Sequence, residues 1–143
     1  MSSKQLIPIA TIAVFIAHFA GQFLGLYKTL PHFDSLVHFL GGLWVALVIA
    51  GFGETRPRFS IVKGGAFFNF LVLVSLTLSI GVFWEFFEFI LYKTAFLIHR
   101  PPLAQTWPDT LSDLFFDIVG AGFASFLLFF NRHLSNKRQV PSL

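Results

Sequence analysis

The sequence contains no cysteine, and its 143 residues carry only seven Asp or Glu against ten Lys or Arg. Without cysteine there are no disulfides, no thiolate metal sites and no Cys nucleophile. Charged residues make up 12% of the chain, about half the share in soluble domains, while 55% is hydrophobic and the mean hydropathy is +0.74. Internal repeats and low-complexity tracts are absent too, so the chain reads as one domain, 1–143.

What is present is four long apolar stretches: Gln5 to Tyr27, Ser35 to Gly53, Gly64 to Trp84, and Leu114 to Asn131, the last interrupted by a charge only at Asp117. Each is long enough to cross a hydrocarbon core about 30 Å thick at about 1.5 Å per residue. The expectation is an all-α, four-helix transmembrane bundle with helices at about 7–27, 35–53, 64–92 and 110–131. The first stretch follows Lys4 like a signal peptide. It is long and has no clear small-residue cleavage site, and is expected to remain as a span. Twenty-one Phe residues suit lipid contact, and Tyr27, Trp84 and Trp107 are among the candidate interfacial anchors.

A sequence pI near 9.6 does not point to nucleic acid, because the basic residues lie in short loops and tails. Lys4, Arg56, Arg58, Lys63, Arg132, Lys137 and Arg138 fall on one side of a four-span topology. Lys28, Lys93 and Arg100 fall on the other. The positive-inside rule then puts both termini in the cytoplasm of an inner-membrane, multi-pass protein.

The few acids are not scattered. Asp34, Glu85, Glu88, Asp109, Asp113 and Asp117 sit at or just inside the ends of apolar segments, and only Glu54 lies elsewhere. Asp34 and His38 are spaced i, i+4, Glu85 and Glu88 i, i+3, and Asp113 and Asp117 i, i+4, so each pair projects from one helix face. In the inferred topology all six come to the extracytoplasmic face. His18 and Gln22, on a stripe with Gly21 and Gly25, are expected to line the floor. The GxxxG spacing of those glycines suits close helix approach.

Such a ring of oxygens with imidazole suits a divalent cation (Mg²⁺, Mn²⁺, Ca²⁺ or Zn²⁺). The expected metal ligands are His38, Glu85, Glu88, Asp113 and Asp117, with Glu85 and Asp117 as candidate catalytic groups. His18, Gln22, Asp34, Arg100 and Asp109 are candidate substrate contacts, Arg100 for a lipid phosphate. Blander roles compete. Asp34 and Asp109 are good helix-cap types, Asp113 suits a first helical turn, and Glu88 fits simple emergence into headgroups. His38, Glu85 and Asp117 are harder to explain away, each lying one or two turns inside an apolar segment.

Three elements carry a family resemblance: Asp34-Ser-Leu-Val-His38-Phe-Leu-Gly-Gly, Trp84-Glu85-Phe-Phe-Glu88-Phe, and Asp109-Thr-Leu-Ser-Asp113-Leu-Phe-Phe-Asp117-Ile-Val-Gly120-Ala. Over about two thirds of the chain it resembles the small polytopic VanZ-like and YjdF-type proteins. The Trp-Glu-x-x-Glu and Asp-Thr-Leu-x-Asp elements are closer to the YjdF type, and Asp117 stands where VanZ-like members tend to have Asn. The resemblance implies a prokaryotic inner-membrane protein of the cell envelope and carries no established reaction.

The leading expectation is therefore a membrane protein with an outward-facing acidic and His-containing pocket that binds a divalent cation and acts on, or recognises, a lipid-linked envelope molecule. As an enzyme it would be a metal-dependent hydrolase or transferase working at a phosphate. The rivals are an ion- or proton-coupled carrier, disfavoured by cytoplasmic helix halves almost free of ionisable groups, and a non-catalytic subunit of a larger membrane complex. Membrane lipids are expected partners, with a homo-oligomer as a further option.

Overall fold

In a computed structural model of the chain, residues 3–56, 65–97 and 106–138 are described. Five helices follow in order: α1 (Ser3–Leu24), α2 (Leu26–Thr29), α3 (Phe33–Thr55), α4 (Ala66–Leu97) and α5 (Trp107–Arg138). No strand occurs among the described residues. Four of the helices are long and apolar enough to cross a membrane, as expected for an all-α four-helix transmembrane bundle. The fifth, α2, is a single turn.

That turn arises at Gly25, whose φ of 68° lies in the left-handed region. A side chain is costly there and glycine is not. Helix α1 therefore stops at Leu24 rather than running on to Tyr27, and the chain folds back so that Tyr27 and Phe33 cover Gly21. A Cβ on Gly21 would lie 2.6 Å from the Phe33 ring, whereas one on Gly25 would meet nothing within 4 Å. Gly21 is a contact glycine and Gly25 a chain reversal, so the two do not form one helix-packing motif.

The starts of α3 and α5 also differ from expectation. His32, with φ 60°, occupies the N-cap of α3 without a side-chain cap bond, which leaves Asp34 in the first turn. Helix α5 begins at Trp107, with Pro108 just inside it and Asp109 in the first turn. Neither Asp34 nor Asp109 is a cap. Both sit where the helix dipole favours an anion. Helix α4 has 32 residues, about 48 Å at 1.5 Å per residue, so it must tilt or project beyond a core of about 30 Å.

Helix α3 is central, packing most extensively on α5 and next on α1, while α5 also packs on α4. The registers give the directions. Ser3 donates to Glu54, Ile7 lies against Gly51 and the Trp44 indole donates to Thr11 Oγ1 at 2.8 Å, so α1 and α3 are antiparallel. Ser35 and Ser112 lie 3.4 Å apart, Gly42 abuts Asp117 and Gly120 abuts Phe39 and Leu43, so α3 and α5 run parallel. Phe70 lies near Gly122 and Gly81 near Asp117, so α4 is antiparallel to α5. The ends bearing Asp34, Glu88 and Asp113 thereby meet, with Glu54 at the opposite end.

The core inverts the soluble pattern. Five of its eight buried apolar residues are alanines (10, 46, 50, 121 and 124), whereas Phe23, Phe67 and Phe83 are more than 70% exposed. Small side chains inside allow close backbone approach, and large apolar ones outside suit a lipid solvent.

A candidate cation and ligand site around His38

His38 is the hub of the acidic end. It lies one turn inside α3 and is buried, as are Glu85 on α4 and Asp113 and Asp117 on α5. Its Nε2 faces Glu85 Oε1 at 3.8 Å and Asp113 Oδ2 at 4.0 Å, and its Nδ1 faces Asp117 Oδ1 at 3.4 Å. Two triads, Asp34–His38–Asp113 and His38–Glu85–Glu88, offer ligand atoms all within 4.8 Å of one another. Asp117 belongs to neither. It stands at the other ring nitrogen, the place of a carboxylate that orients a metal-binding imidazole.

The Nε2 separations exceed a hydrogen bond. They approach the roughly 3.0–3.5 Å between neighbouring ligand atoms on a cation held by bonds near 2.1 Å. If Nδ1–H donates to Asp117, the Nε2 lone pair is directed at carboxylate oxygens. A cation between them turns that repulsion into attraction.

Glycine lets Asp117 occupy this position. Its backbone presses on Gly42, where a Cβ would lie 2.7 Å from the Asp117 Cα, and its Oδ2 occupies the space a side chain on Gly81 would need. Asp117 Oδ2 is buried and has no hydrogen-bond partner.

Beside the cluster is a cavity of about 460 Å³. Its walls come from α1 (Phe15, His18 and Phe19), from α3, from the face of α4 bearing Thr77, Gly81, Trp84 and Glu88, and from Asp117. His18 Nδ1 is hydrogen-bonded to Tyr27 Oη at 3.0 Å. Tyr27 lies outside the spanning segments. Its phenol is pushed up to about 12, first by burial and then by the nearby Asp34 and Glu88 carboxylates.

The sequence-derived residues thus divide. His38, Glu85, Glu88, Asp113, Asp117 and Asp34 converge, and His18 lines the cavity. Gln22 is exposed and outside the cavity lining, although it lies within α1 one turn beyond His18. Asp109 is exposed, and Arg100 lies outside the described residues.

Thr77 was not indicated by motif or charge. It is 1% exposed, lines the cavity, and its hydroxyl has no hydrogen-bond partner. Its i, i+4, i+8 spacing puts it on the face of Gly81 and Glu85, but its unpartnered hydroxyl shows only in the fold.

Residues 2–134, nearly the whole chain, match the family described as "Predicted membrane protein (DUF2238)". The chain belongs to the DUF2238 family. It is also similar to an uncharacterized protein of Thermotoga maritima, 29% identical over 110 residues that cover 76% of this chain. The match spans about half, 53%, of that relative's length. No solved structure matches. Membership in this DUF2238 family and the four apolar helices make the chain a multi-pass membrane protein.

Proposed function

We propose that this membrane protein binds a divalent cation at the His38 cluster and uses the adjoining cavity to recognise a lipid-linked or amphipathic molecule of the cell envelope. The observation that carries the reading is the convergence of carboxylates from α4 and α5 on one buried imidazole of α3, with different partners at its two ring nitrogens. Buried like charges on this scale call for a compensating cation. His38 Nε2, Glu85 and Asp113 would hold it, with Asp34 and Glu88 at the rim, and Asp117 would fix the imidazole through Nδ1. A bound cation would supply charge stabilisation and orient a ligand. The ligand's apolar part has the aromatic walls to pack against.

Both termini are placed in the cytoplasm on the charge asymmetry, which puts the cluster on the extracytoplasmic face of an inner membrane. The YjdF-type resemblance of the Trp84–Glu88 and Asp109–Asp113 elements supports an envelope setting.

The test is elemental analysis and cation titration of the purified full chain beside Glu85→Gln and Asp117→Asn. Wild type should carry a stoichiometric divalent cation. Glu85→Gln should lose it, and Asp117→Asn should weaken it by roughly 10–100-fold, as for an orienting partner. A wild-type protein that neither carries nor takes up a cation would sink the reading.

A further inference from the structure

The cavity's shape and chemistry narrow what it can hold. Thr77, Gly81, Trp84 and Glu88 lie on one face of α4, so the cavity follows that helix for 11 residue steps, about 16 Å at 1.5 Å per step. One end reaches Asp34, Glu88 and His38, Asp117 lies level with Gly81 part-way along, and the other end, near Val14 and Val45, is apolar apart from Thr77. Helices α1 and α4 face each other across it without extensive packing between them. At this gap Phe15, Phe19, Ile80 and Trp84 line the cavity and yet are 44–54% exposed. The opening is therefore sideways, into the surrounding lipid.

Among the described residues no Lys or Arg lines the cavity, while Asp34, Glu88 and Asp117 do. With Glu85 and Asp113 behind His38 the local carboxylates number five, and a divalent cation offsets two charges. An anionic headgroup would enter a field that stays negative. A cationic one complements it, and Trp84 and Phe19 add π faces.

Two further atoms specify the kind of cation. Thr77 Oγ1 and Asp117 Oδ2 are buried at the cavity wall without hydrogen-bond partners. A hydroxyl or carboxylate oxygen left this way costs free energy that a donor on an occupant would recover. A quaternary ammonium has no N–H to give, and a primary ammonium has three.

We infer that the α1–α4 cavity is a laterally entered binding site for a membrane amphiphile with a primary ammonium headgroup, held through Asp117 and Thr77, its chain against the aromatic walls. This rests on reading the cavity beside His38 as the ligand site. The ammonium is bound through Asp117, on the Nδ1 side of His38, and the metal cation on the Nε2 side, so the two ligands do not compete for one position.

The experiment uses the full chain in phosphatidylcholine nanodiscs at pH 7, with Trp107→Phe so that emission comes from Trp44 and Trp84, both on the cavity wall. Hexadecylamine, hexadecyltrimethylammonium, hexadecanol and hexadecanoate are titrated, and metal content is measured on the same samples. Hexadecylamine is expected to bind at least about tenfold more tightly than the trimethylammonium and the alcohol, with no saturable binding of the acid. Thr77→Val and Asp117→Asn should each erase most of that preference, and Thr77→Ser should keep it.

Equal affinities for the amine and its trimethyl analogue, or a preference that survives in both Thr77→Val and Asp117→Asn, would overturn the inference. Stoichiometric metal without amine preference overturns the ammonium site alone. Amine preference in a metal-free protein supports it and overturns only the divalent-cation reading.

Discussion

At the residue scale the proposed site divides labour around one imidazole, and Gly81 tests that proposal more selectively than removal of a ligand. A methyl group on Gly81 would meet the end of the Asp117 side chain, which can rotate away, and not a backbone atom. Gly81→Ala should leave the chain folded while pulling the carboxylate from His38 Nδ1, because the obstacle is a side-chain end and not backbone. Cation affinity should then fall toward that of Asp117→Asn, a loss of roughly 10–100-fold by titration. Tyr27 gives a pH prediction. Its phenol is raised from 10.0 to about 12, so the neutral form is favoured in the folded chain. The associated stability is complete below pH 10 and is lost as the pH rises toward 12. Ultraviolet titration of a Tyr92→Phe variant, in which Tyr27 is the sole tyrosine, should show a midpoint near 12; a midpoint near 10 would contradict the burial of Tyr27 near the Asp34 and Glu88 charges. His38, Glu85 and the Asp113–Asp117 pair were legible from the sequence because charge inside an apolar run is conspicuous and helical spacing orients it. Thr77 was not, because a hydroxyl in an apolar helix normally bonds its own turn, as Ser79 and Ser125 do here, and only the fold shows that Thr77 has no such bond.

At the scale of elements, the parallel contact of α3 with α5 sets the distance between His38 and its acids. Gly42 and Gly120 make that contact possible. A Cβ on Gly120 would lie 2.7 Å from Leu43 N and 3.1 Å from Phe39 C, and one on Gly42 would lie 2.7 Å from the Asp117 Cα. These obstacles are backbone, so the helices would have to move apart. Gly120→Ala and Gly42→Ala should each destabilise the protein by about 1–3 kcal/mol, the range for overpacking, as measured by thermal or denaturant unfolding in detergent. Gly41→Ala, with nothing within 4 Å of its Cβ position, is the control expected to unfold like wild type. Four spans and the shared face of the acids were readable from run length and periodicity. The reversal at Gly25 and the first-turn places of Asp34 and Asp109 were not. A glycine or a capping residue type reads the same in a sequence whatever its φ, and tertiary packing of Tyr27 and Phe33 over Gly21 decides where α1 ends.

At the scale of the whole molecule, orientation decides whether the His38 cavity meets the cell exterior or the cytoplasm. The registers place Lys4, at the start of α1, and Arg56, at the end of α3, together at the end opposite His38, while Lys28 and Lys93 lie at the same end as His38. Glu54 belongs to the Lys4 end and bonds Ser3, so five buried or half-buried carboxylates remain at the other. Orientation follows the Lys and Arg bias of short loops and is nearly indifferent to acids. Seven of the ten basic residues belong to the N-terminal segment, the α3–α4 connection and the C-terminal segment. Alkaline phosphatase fused after Leu143 should therefore be inactive and a fluorescent protein there bright. Phosphatase inserted between Thr29 and His32 should be active. Replacing Arg56, Arg58 and Lys63 with Gln while adding three Lys beside Pro31 reverses the bias and should give a mixed or inverted reporter pattern. Strong phosphatase activity at the C-terminus of the unaltered chain would put the acidic end in the cytoplasm, and a ligand entering between α1 and α4 would then come from the inner leaflet.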